Sequence, residues 1–217
     1  MPTKPMSITL CNRLISYLRF IKQLPPDGHE TVSSTVIASA LNVNDVQVRK
    51  DLASVSNRGK PKIGYVTAEL IAELEQYLGY NSYTEAALVG AGKLGQALMS
   101  YKNFELYGLK IIAAFDSDPK LEGTAVGGVW IFAPNKIVDL CQRLNVAIGI
   151  ITTPSEHAQS ACDLLVAGSV RAIWNFAPVN LRVPHNVIVK NEDMAGSLAV
   201  LMSQLANGAA KNSSKTP

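Results

Sequence analysis

Cysteine is scarce in this chain. Its three cysteines (Cys11, Cys141 and Cys162) are odd in number, widely spaced and without a Cys-x-x-Cys pair, which argues against a disulfide framework and a structural zinc site. Long apolar runs are missing too. The longest nearly apolar stretches, such as residues 146–153, fall well short of the ~20 residues a membrane-spanning helix needs. The first ten residues lack the basic end and apolar core of a secretory leader. Charged residues make up only 17% of the chain, yet 47% is hydrophobic, a globular balance that excludes a disordered protein. Fifteen glycines and eleven prolines are too few and too scattered for a fibre or linker. These absences predict a soluble, cytoplasmic protein, and 217 residues give room for one large domain or two small ones.

The net charge of +3 is too mild to imply nucleic acid, but its distribution says more. Residues 49–62 hold Arg49, Lys50, Arg58, Lys60 and Lys62 against one acid, Asp51, a local balance of +4. Residues 81–217 hold eleven basic and ten acidic residues. A focused basic patch marks a phosphate-binding surface, with a solvated loop as the competing reading.

The first eighty residues carry only helical patterns. Leu10, Leu14, Tyr17, Leu18 and Ile21 recur at helical spacing until the turn signal Pro25-Pro26-Asp27-Gly28. A second helix starts at Ser33 or Ser34 with Val36, Ile37, Ala40 and Leu41 as its apolar stripe, and Asn42-Val43-Asn44 breaks it. Asn44 and Gln47 have capping-box spacing, and the third helix buries Val48, Leu52 and Val55. Gln47, Arg49 and Lys50 then project from other faces. Two short helices across a tight turn are the skeleton of a helix-turn-helix, whose second helix enters the major groove. Arg and Lys there can read guanine and Gln can pair with adenine. Residues 56–65 read as a β-hairpin wing on the phosphate backbone, carrying Arg58, Lys60 and Lys62. The same pattern also serves plain helical hairpins. A further helix, residues 67–78, ends at Gly79, and residues 79–84 read as a linker.

From Ala86 the pattern changes. A buried strand, residues 86–89, runs into Gly90-Ala91-Gly92-Lys93-Leu94-Gly95 and a helix over residues 96–101. The next strand, residues 110–115, ends in Asp116, 26 positions after Gly90. Strand, glycine-rich turn, helix, strand and terminal acid compose the dinucleotide-binding fingerprint. Gly90 permits the tight turn, Gly92 lets a pyrophosphate approach the backbone, and Gly95 lets helix and strand pack closely. Asp116 can accept ribose hydroxyls and would repel a 2′-phosphate, which favours NAD(H) over NADP(H). Strands over residues 126–131, 146–152, 172–175 and 187–190 alternate with helices over 136–144 and 155–167, implying a doubly wound parallel sheet. Ligands of such sheets lie beyond the strand carboxyl ends, so Thr152-Thr153-Pro154 and Asn175-Phe176-Ala177-Pro178 are candidates for the nicotinamide side; both also read as strand-ending turns. A last amphipathic helix, residues 193–205, packs either on a partner subunit or on the core.

Catalytic groups are sparse. Of three histidines, His29 and His185 lie in connections and only His157 could act near the nicotinamide, where it also reads as a helix-start residue. No His/Cys/Asp cluster has metal-ligand spacing. The site therefore reads as a sensor's, with no catalytic residue and no metal. The alternatives are an NAD-dependent dehydrogenase using His157, or a Rossmann protein for coenzyme A or another nucleotide with an N-terminal helical interaction domain.

Six pieces in order are more specific than either half: Val48-Arg49-Lys50-Asp51-Leu52, Gly64-Tyr65, residues 89–95 with Ala97-Leu98, Phe115-Asp116-Ser117-Asp118-Pro119, Asn175-Phe176-Ala177-Pro178-Val179 and Val183-Pro184. From about residue 8 to about residue 205 the chain resembles the bacterial redox-sensing transcriptional repressors called Rex. The resemblance implies a homodimer whose winged-helix domains bind a double-stranded, two-fold symmetric operator. It also implies Rossmann domains that bind NADH or NAD⁺, and a C-terminal helix exchanged between subunits. NADH then releases the operator and derepresses genes of NADH reoxidation and fermentation. An inter-subunit switch matches Arg19, Tyr101 and Asp193 here; an Arg–Asp pair made in one arrangement and broken in another is a usable two-state element. Two departures stand out. Residues 53–62 lack the family's aromatic-glycine stretch and contain Pro61, and Met194 replaces a Phe expected near the nicotinamide.

The expected organisation is a winged-helix domain over residues 1–80 and a Rossmann-like α/β domain with the exchanged helix over 81–206. A disordered tail is expected over 207–217.

Overall fold

The computed structural model describes residues 7–25, 27–80 and 83–213. Pro26 of the predicted turn, part of the predicted linker and residues 214–217 of the predicted tail lie outside the described residues. The chain forms two compact units, Met1–Ser82 and Tyr83–Pro217.

In the first unit, α1 (Ile8–Lys22) begins where the Ser7 side chain accepts the Leu10 N–H, and buries Leu14, Tyr17, Leu18 and Ile21. After β1 (Thr31–Val32), Ser33 caps α2 (Ser34–Leu41), which closes on left-handed Asn42 (φ 52°). Of the expected stripe, Ile37 and Leu41 pack inward, joined by Ala38, whereas Val36 and Ala40 do not. Val36 is 45% exposed and Ala40 is exposed as well. Positions 37, 38 and 41 span about 100° of a helix, which is all that a short element can turn inward.

Asn44 caps α3 (Asp45–Ala53), its side-chain oxygen accepting from Val46 N (2.8 Å) and Gln47 N (3.3 Å). The expected reciprocal arm of the capping box is absent, because the Gln47 amide turns instead to Asp51 (2.8 Å). α3 buries Val48 and Leu52, while Val55 lies past its end and is half-buried. The predicted wing is not a self-paired hairpin. Residues 60–64 close through a single bridge, Lys60 to Gly64, and β2 (Tyr65–Val66) pairs with β1. Pro61 has no N–H to give a ladder and Lys62 sits at φ 66°, so only a tight loop forms. α4 (Thr67–Leu78) ends on left-handed Gly79.

Asp51, the one acid of the basic run, is 4% exposed. It accepts from Arg13 Nε and Nη2 (2.6 and 2.8 Å), Tyr17 Oη (3.0 Å) and Gln47 Nε2 (2.8 Å), and so ties α3 to α1. Burial alone would raise its pKa, but these hydrogen bonds outweigh burial and hold the carboxyl below the ordinary carboxylate range. Tyr17 is pushed up to about 12 by burial and by Asp51.

The second unit is a seven-stranded sheet ordered β5-β6-β4-β3-β7-β8-β9, parallel except for β5. The elements are β3 (Thr84–Val89), α5 (Lys93–Met99), β4 (Leu109–Phe115), β5 (Ala125–Val126), β6 (Val129–Phe132), α6 (Ile137–Arg143), β7 (Ile148–Ile151), α7 (Ser155–Ala167), β8 (Ala172–Asn175), β9 (Ile188–Asn191) and α8 (Met194–Ser213). Alternation in β3 sends Ala87 and Val89 to a core shared with α6 and α7, and Ala86 and Leu88 to a core shared with Met99 and Ile131. A sheet covered on both faces is the doubly wound arrangement.

Three expectations are corrected. Residues 126–131 are not one strand but the β5–β6 hairpin, turned by Gly127 (φ 60°) and Gly128 (φ 87°), the two positive φ values that a tight right-twisted hairpin requires. α5 starts at Lys93, not residue 96, because Gly92 is its N-cap; Tyr101 lies past its end. α8 runs on to Ser213, so residues 207–213 are helical and not a disordered tail. Ala206, Ala209, Ala210 and Lys211 favour helix strongly enough to carry it past Gly208. The described apolar side chains of α8 are exposed, Leu198 at 56% and Leu205 at 67% among them.

Arg13→Ala leaves a buried carboxylate without its countercharge and is expected to cost about 3 kcal/mol. Hydrogen exchange should show protection of the Leu14, Leu18, Val48 and Leu52 amides falling by about 100-fold. The pH dependence has two arms. The depressed Asp51 contributes stability above the ordinary carboxylate range and loses it as pH falls through its lower folded value. The raised Tyr17 contributes below about pH 10 and loses its contribution as pH rises towards about 12. In wild type these amides are expected to lose protection at both extremes.

Candidate functional site

Order in the second unit changes direction between β3 and β7, the place where such sheets hold ligands. The chain leaves β3 through Gly90, whose φ of 101° excludes other residues and whose Cβ, if present, would lie 2.8 Å from Thr153 N. A Cβ on Gly95 would collide with the Gly90 carbonyl oxygen. Gly92 differs, because nothing stands within 4 Å of its missing side chain. Two of the glycines therefore serve packing and the third leaves space.

That space belongs to a cleft of about 480 Å³. Of the residues proposed from sequence, Gly90, Gly92, Asp116, Thr152, Thr153 and Pro154 line it. Ala91, Lys93, Leu94 and Gly95 do not, and Ala91 is fully buried. Asp116 accepts from Ala91 N (2.6 Å) through one oxygen and from Asp118 N (2.8 Å) through the other. The Thr152 hydroxyl donates to the Gly90 carbonyl at 2.6 Å and clips the loop to β7. The buried Thr153 hydroxyl has no hydrogen-bond partner among the described residues, a polar group that a ligand would satisfy.

Sequence reasoning placed His157 near the site but missed the rest of the cleft's other wall. His157, Ser160, Ala161 and Leu164 line it at three- and four-residue spacing along one face of α7, opposite Pro134 and Ile137. The periodicity was visible, but nothing in the sequence placed α7 across from the glycine loop. His157 stands on this wall in the first turn of α7.

Asn175 does not face the cleft. It is fully buried, its two amide N–H groups shared among Ala177 O, Val179 O and Asn191 Oδ1 and its oxygen accepting from Ala177 N, so it builds the turn after β8. Phe176 packs against Trp174 at a tilt, with ring centroids 4.8 Å apart. Ala177 and Pro178 border a separate hollow of about 220 Å³ with Glu192 and Asp193. Asp193 caps α8 through Gly196 N (2.7 Å). Tyr101 is half exposed with its ring edge on Phe104, and Arg19 is exposed on α1 in the other unit.

On the first unit, Gln47, Arg49 and Lys50 are exposed on α3. Arg49 pairs with Asp45 one turn back (2.6 Å), and Arg58 lies between Glu69 and Glu73 (both 3.2 Å). Lys50, Lys60 and Lys62 have no ion pair among the described residues. Arg49, Lys60 and Lys62 line a hollow of about 600 Å³ together with Ser33, Ser34, Thr35 and Tyr65, at the start of α2. Cations, hydroxyls and a helix N-terminus in one hollow suit a phosphate group. Sequence reading assigned the Ser-Ser-Thr run only to a helix start. It also missed Val43 and Val46, 39% and 53% exposed at the start of α3, where an apolar group can meet a thymine methyl.

No group of three or more His, Cys, Asp or Glu side chains among the described residues could hold a metal. No described helix is long and apolar enough to cross a membrane. The Cys141 and Cys162 thiols are buried, and burial pushes both up to about 11, far from a reactive thiolate.

Comparison with known proteins covers both units. Residues 81–179 match the family "CoA binding domain" and residues 7–53 the family "Putative DNA-binding protein N-terminus". The redox-sensing transcriptional repressor Rex of Porphyromonas gingivalis is 39% identical over 193 residues, 89% of this chain and 88% of that protein. Rex of Clostridium beijerinckii is 38% identical over 92% of this chain and 94% of its own length. The crystal structure of RSP in complex with beta-NAD+ and operator DNA superposes with a TM-score of 0.89 at 30% identity, covering 99% of this chain and 100% of that one. RSP in complex with beta-NADH gives 0.85 at 30% identity, over 98% of this chain and 100% of that one. With relatives of this identity matched over nearly their whole length, the chain belongs to the Rex family of redox-sensing transcriptional repressors.

Proposed function

We propose that this chain is a cytoplasmic, homodimeric repressor that holds a two-fold symmetric operator when NADH is scarce and releases it when NADH fills the β3–α5 cleft. The observation that carries the reading is the cleft itself. An open position at Gly92, an unpartnered Thr153 hydroxyl and the Asp116 carboxylate suit, in turn, a pyrophosphate, a polar ligand group and a ribose. The residues present therefore fit a dinucleotide. Gly90 and Gly92 would cradle the phosphates, Asp116 the adenosine ribose, and the α7 wall the base. Bound NADH or NAD⁺ supplies a redox state to be read, not a reaction to be catalysed, and no general acid or base is required of the chain.

RSP has been crystallised with beta-NAD+ and operator DNA together, and separately with beta-NADH. The same pairing here makes NAD⁺ compatible with the operator-bound form. Gln47, Arg49 and Lys50 would face the major groove, with Lys60, Lys62 and the Ser33–Thr35 hollow on phosphates. Arg58, held by two glutamates, contributes less than its charge suggests. The exposed apolar stripe of α8 supports exchange of this helix between subunits. Arg19, Tyr101 and Asp193 would form the inter-subunit switch. The two domains would be residues 1–80 and 81–206.

Fluorescence anisotropy of a labelled symmetric duplex from the gene's upstream region, at fixed salt, tests this directly. NADH should reverse binding at concentrations where NAD⁺ does not; binding indifferent to both would remove the sensing mechanism. Arg49→Ala and Lys50→Ala should each weaken operator binding by about tenfold and leave NADH affinity unchanged. Asp116→Ala should weaken NADH binding.

The glycines separate packing from ligand space. Gly92→Ala should keep the wild-type melting midpoint but lose NADH affinity, whereas Gly95→Ala should lower the midpoint, because its methyl group meets backbone. Equal midpoints for the two variants would contradict this division.

A further inference from the structure

Asp51 is an ionised carboxylate and can only accept hydrogen bonds. Its two oxygens offer about four lone-pair sites, and the structure fills them two by two. Oδ2 takes Arg13 Nε and Tyr17 Oη, and Oδ1 takes Arg13 Nη2 and Gln47 Nε2. Gln47 itself is exposed on α3, one turn before Asp51, in the N-terminal part of the helix that reads base edges in this class of motif. A free glutamine presents either end of its amide, and so matches either donors or acceptors. Gln47 has no such freedom. A donor is required at Asp51, so one N–H of the amide is committed there; this fixes which end of the amide turns inward and leaves the carbonyl oxygen outward, with only the second N–H beside it.

We propose that Asp51 locks the Gln47 carboxamide with Nε2 inward, so that α3 meets one base of each half-site through the Oε1 acceptor and selects an amino-bearing edge. In the major groove adenine N6 and cytosine N4 donate, whereas guanine O6 and N7 and thymine O4 only accept. Gln47 is thus a specificity-determining residue for adenine or cytosine over guanine or thymine. Asp51 is a positioning residue that acts through it, and Arg13 holds Asp51 in turn. The inference rests on α3 being the DNA-reading helix of the function proposed above.

A structural role alone would have Gln47 merely fill the fourth lone pair of Asp51, and it would leave base preference untouched. Selection from a random duplex library, using the full chain as wild type, Gln47→Met and Gln47→Glu, separates the two. Both substitutions fall at an exposed position, and far-UV circular dichroism checks that each variant folds. Wild type should prefer A or C by about tenfold at one position per half-site. Gln47→Met should lose that preference alone, while keeping the rest of the selected site. Gln47→Glu, whose side chain only accepts, should retain A or C there even as charge repulsion weakens overall binding.

The inference is overturned if Gln47→Met selects the wild-type site at every position, for then Gln47 reads no base. It is overturned equally if the position that changes is G or T in wild type, since the amide would then be reading as a donor. Wild type that selects no sequence at all would instead remove the DNA-reading function beneath it. A selected site indifferent to Gln47 leaves that function standing and removes only the lock. Asp51→Asn adds a further arm wherever it folds: an amide at this position can accept Gln47 in either orientation, so the discrimination should shrink towards unity.

Discussion

A carboxylate can stay charged inside a protein only when its lone pairs are filled, and in the first unit that demand falls on Asp51. Two of its four donors come from one guanidinium, whose fork accepts a single direction of approach. Val48 and Leu52 could pack against α1 in more than one register, because apolar contacts tolerate small slides. The Arg13–Asp51 pair does not tolerate them. It selects one register and thereby sets which side chains of α3 face outward, Gln47, Arg49 and Lys50 among them. The internal ion pair and the outward face of α3 are consequences of the same geometry.

The second unit uses polar groups in a similar way around its glycine loop. Asp116, at the end of β4, reaches the Ala91 N–H, and Thr152, at the end of β7, reaches the Gly90 carbonyl. The loop after β3 is therefore held from both neighbouring strands, at the point where strand order turns around. Contact of Gly95 with the Gly90 carbonyl closes it from below. A loop fixed on three sides loses little freedom when a ligand arrives, which is how preorganisation raises affinity. It also explains why only Gly92 faces open space. Asn175 repeats the principle farther along the sheet, where one buried amide, through its two N–H groups and its oxygen, engages Ala177, Val179 and Asn191 and shapes the turn after β8.

Much of this was legible in the sequence because the signals were local. Caps and glycines placed α2, α4 and α7, and the fingerprint placed β3, its loop and Asp116. The unreadable parts depended on distant partners. Asp51 sits in a run of basic residues and looks like a surface charge; only Arg13, 38 positions away, makes it a core residue. The apolar run around Gly127-Gly128 looks like one buried strand, and the two glycines turn it into a hairpin at the sheet edge. The tail beyond residue 206 has a polar, alanine-containing composition that fits both coil and helix, and propensity decided for helix. The α7 wall of the cleft carried a visible period but no indication of what it faced.

Signalling between the units is a matter of differential affinity, since a ligand shifts an equilibrium only by the difference between its affinities for the two states. Moving from 1:99 to 99:1 takes about 5.5 kcal/mol. The preorganised cleft is a poor source of that difference, because its loop is already fixed before a ligand binds. The exposed stripe of α8 is a better one. Leu198, Leu201, Met202 and Leu205 are all more than half exposed, and burying one such side chain is worth about 1.5–3 kcal/mol. In the dimer proposed above, two packings of this helix that differ by two or three buried side chains match the required scale. The proposed Arg19–Asp193 pair would then need only to choose between the packings. Its modest worth at an exposed site is sufficient for that, because the apolar seam supplies the bulk of the energy.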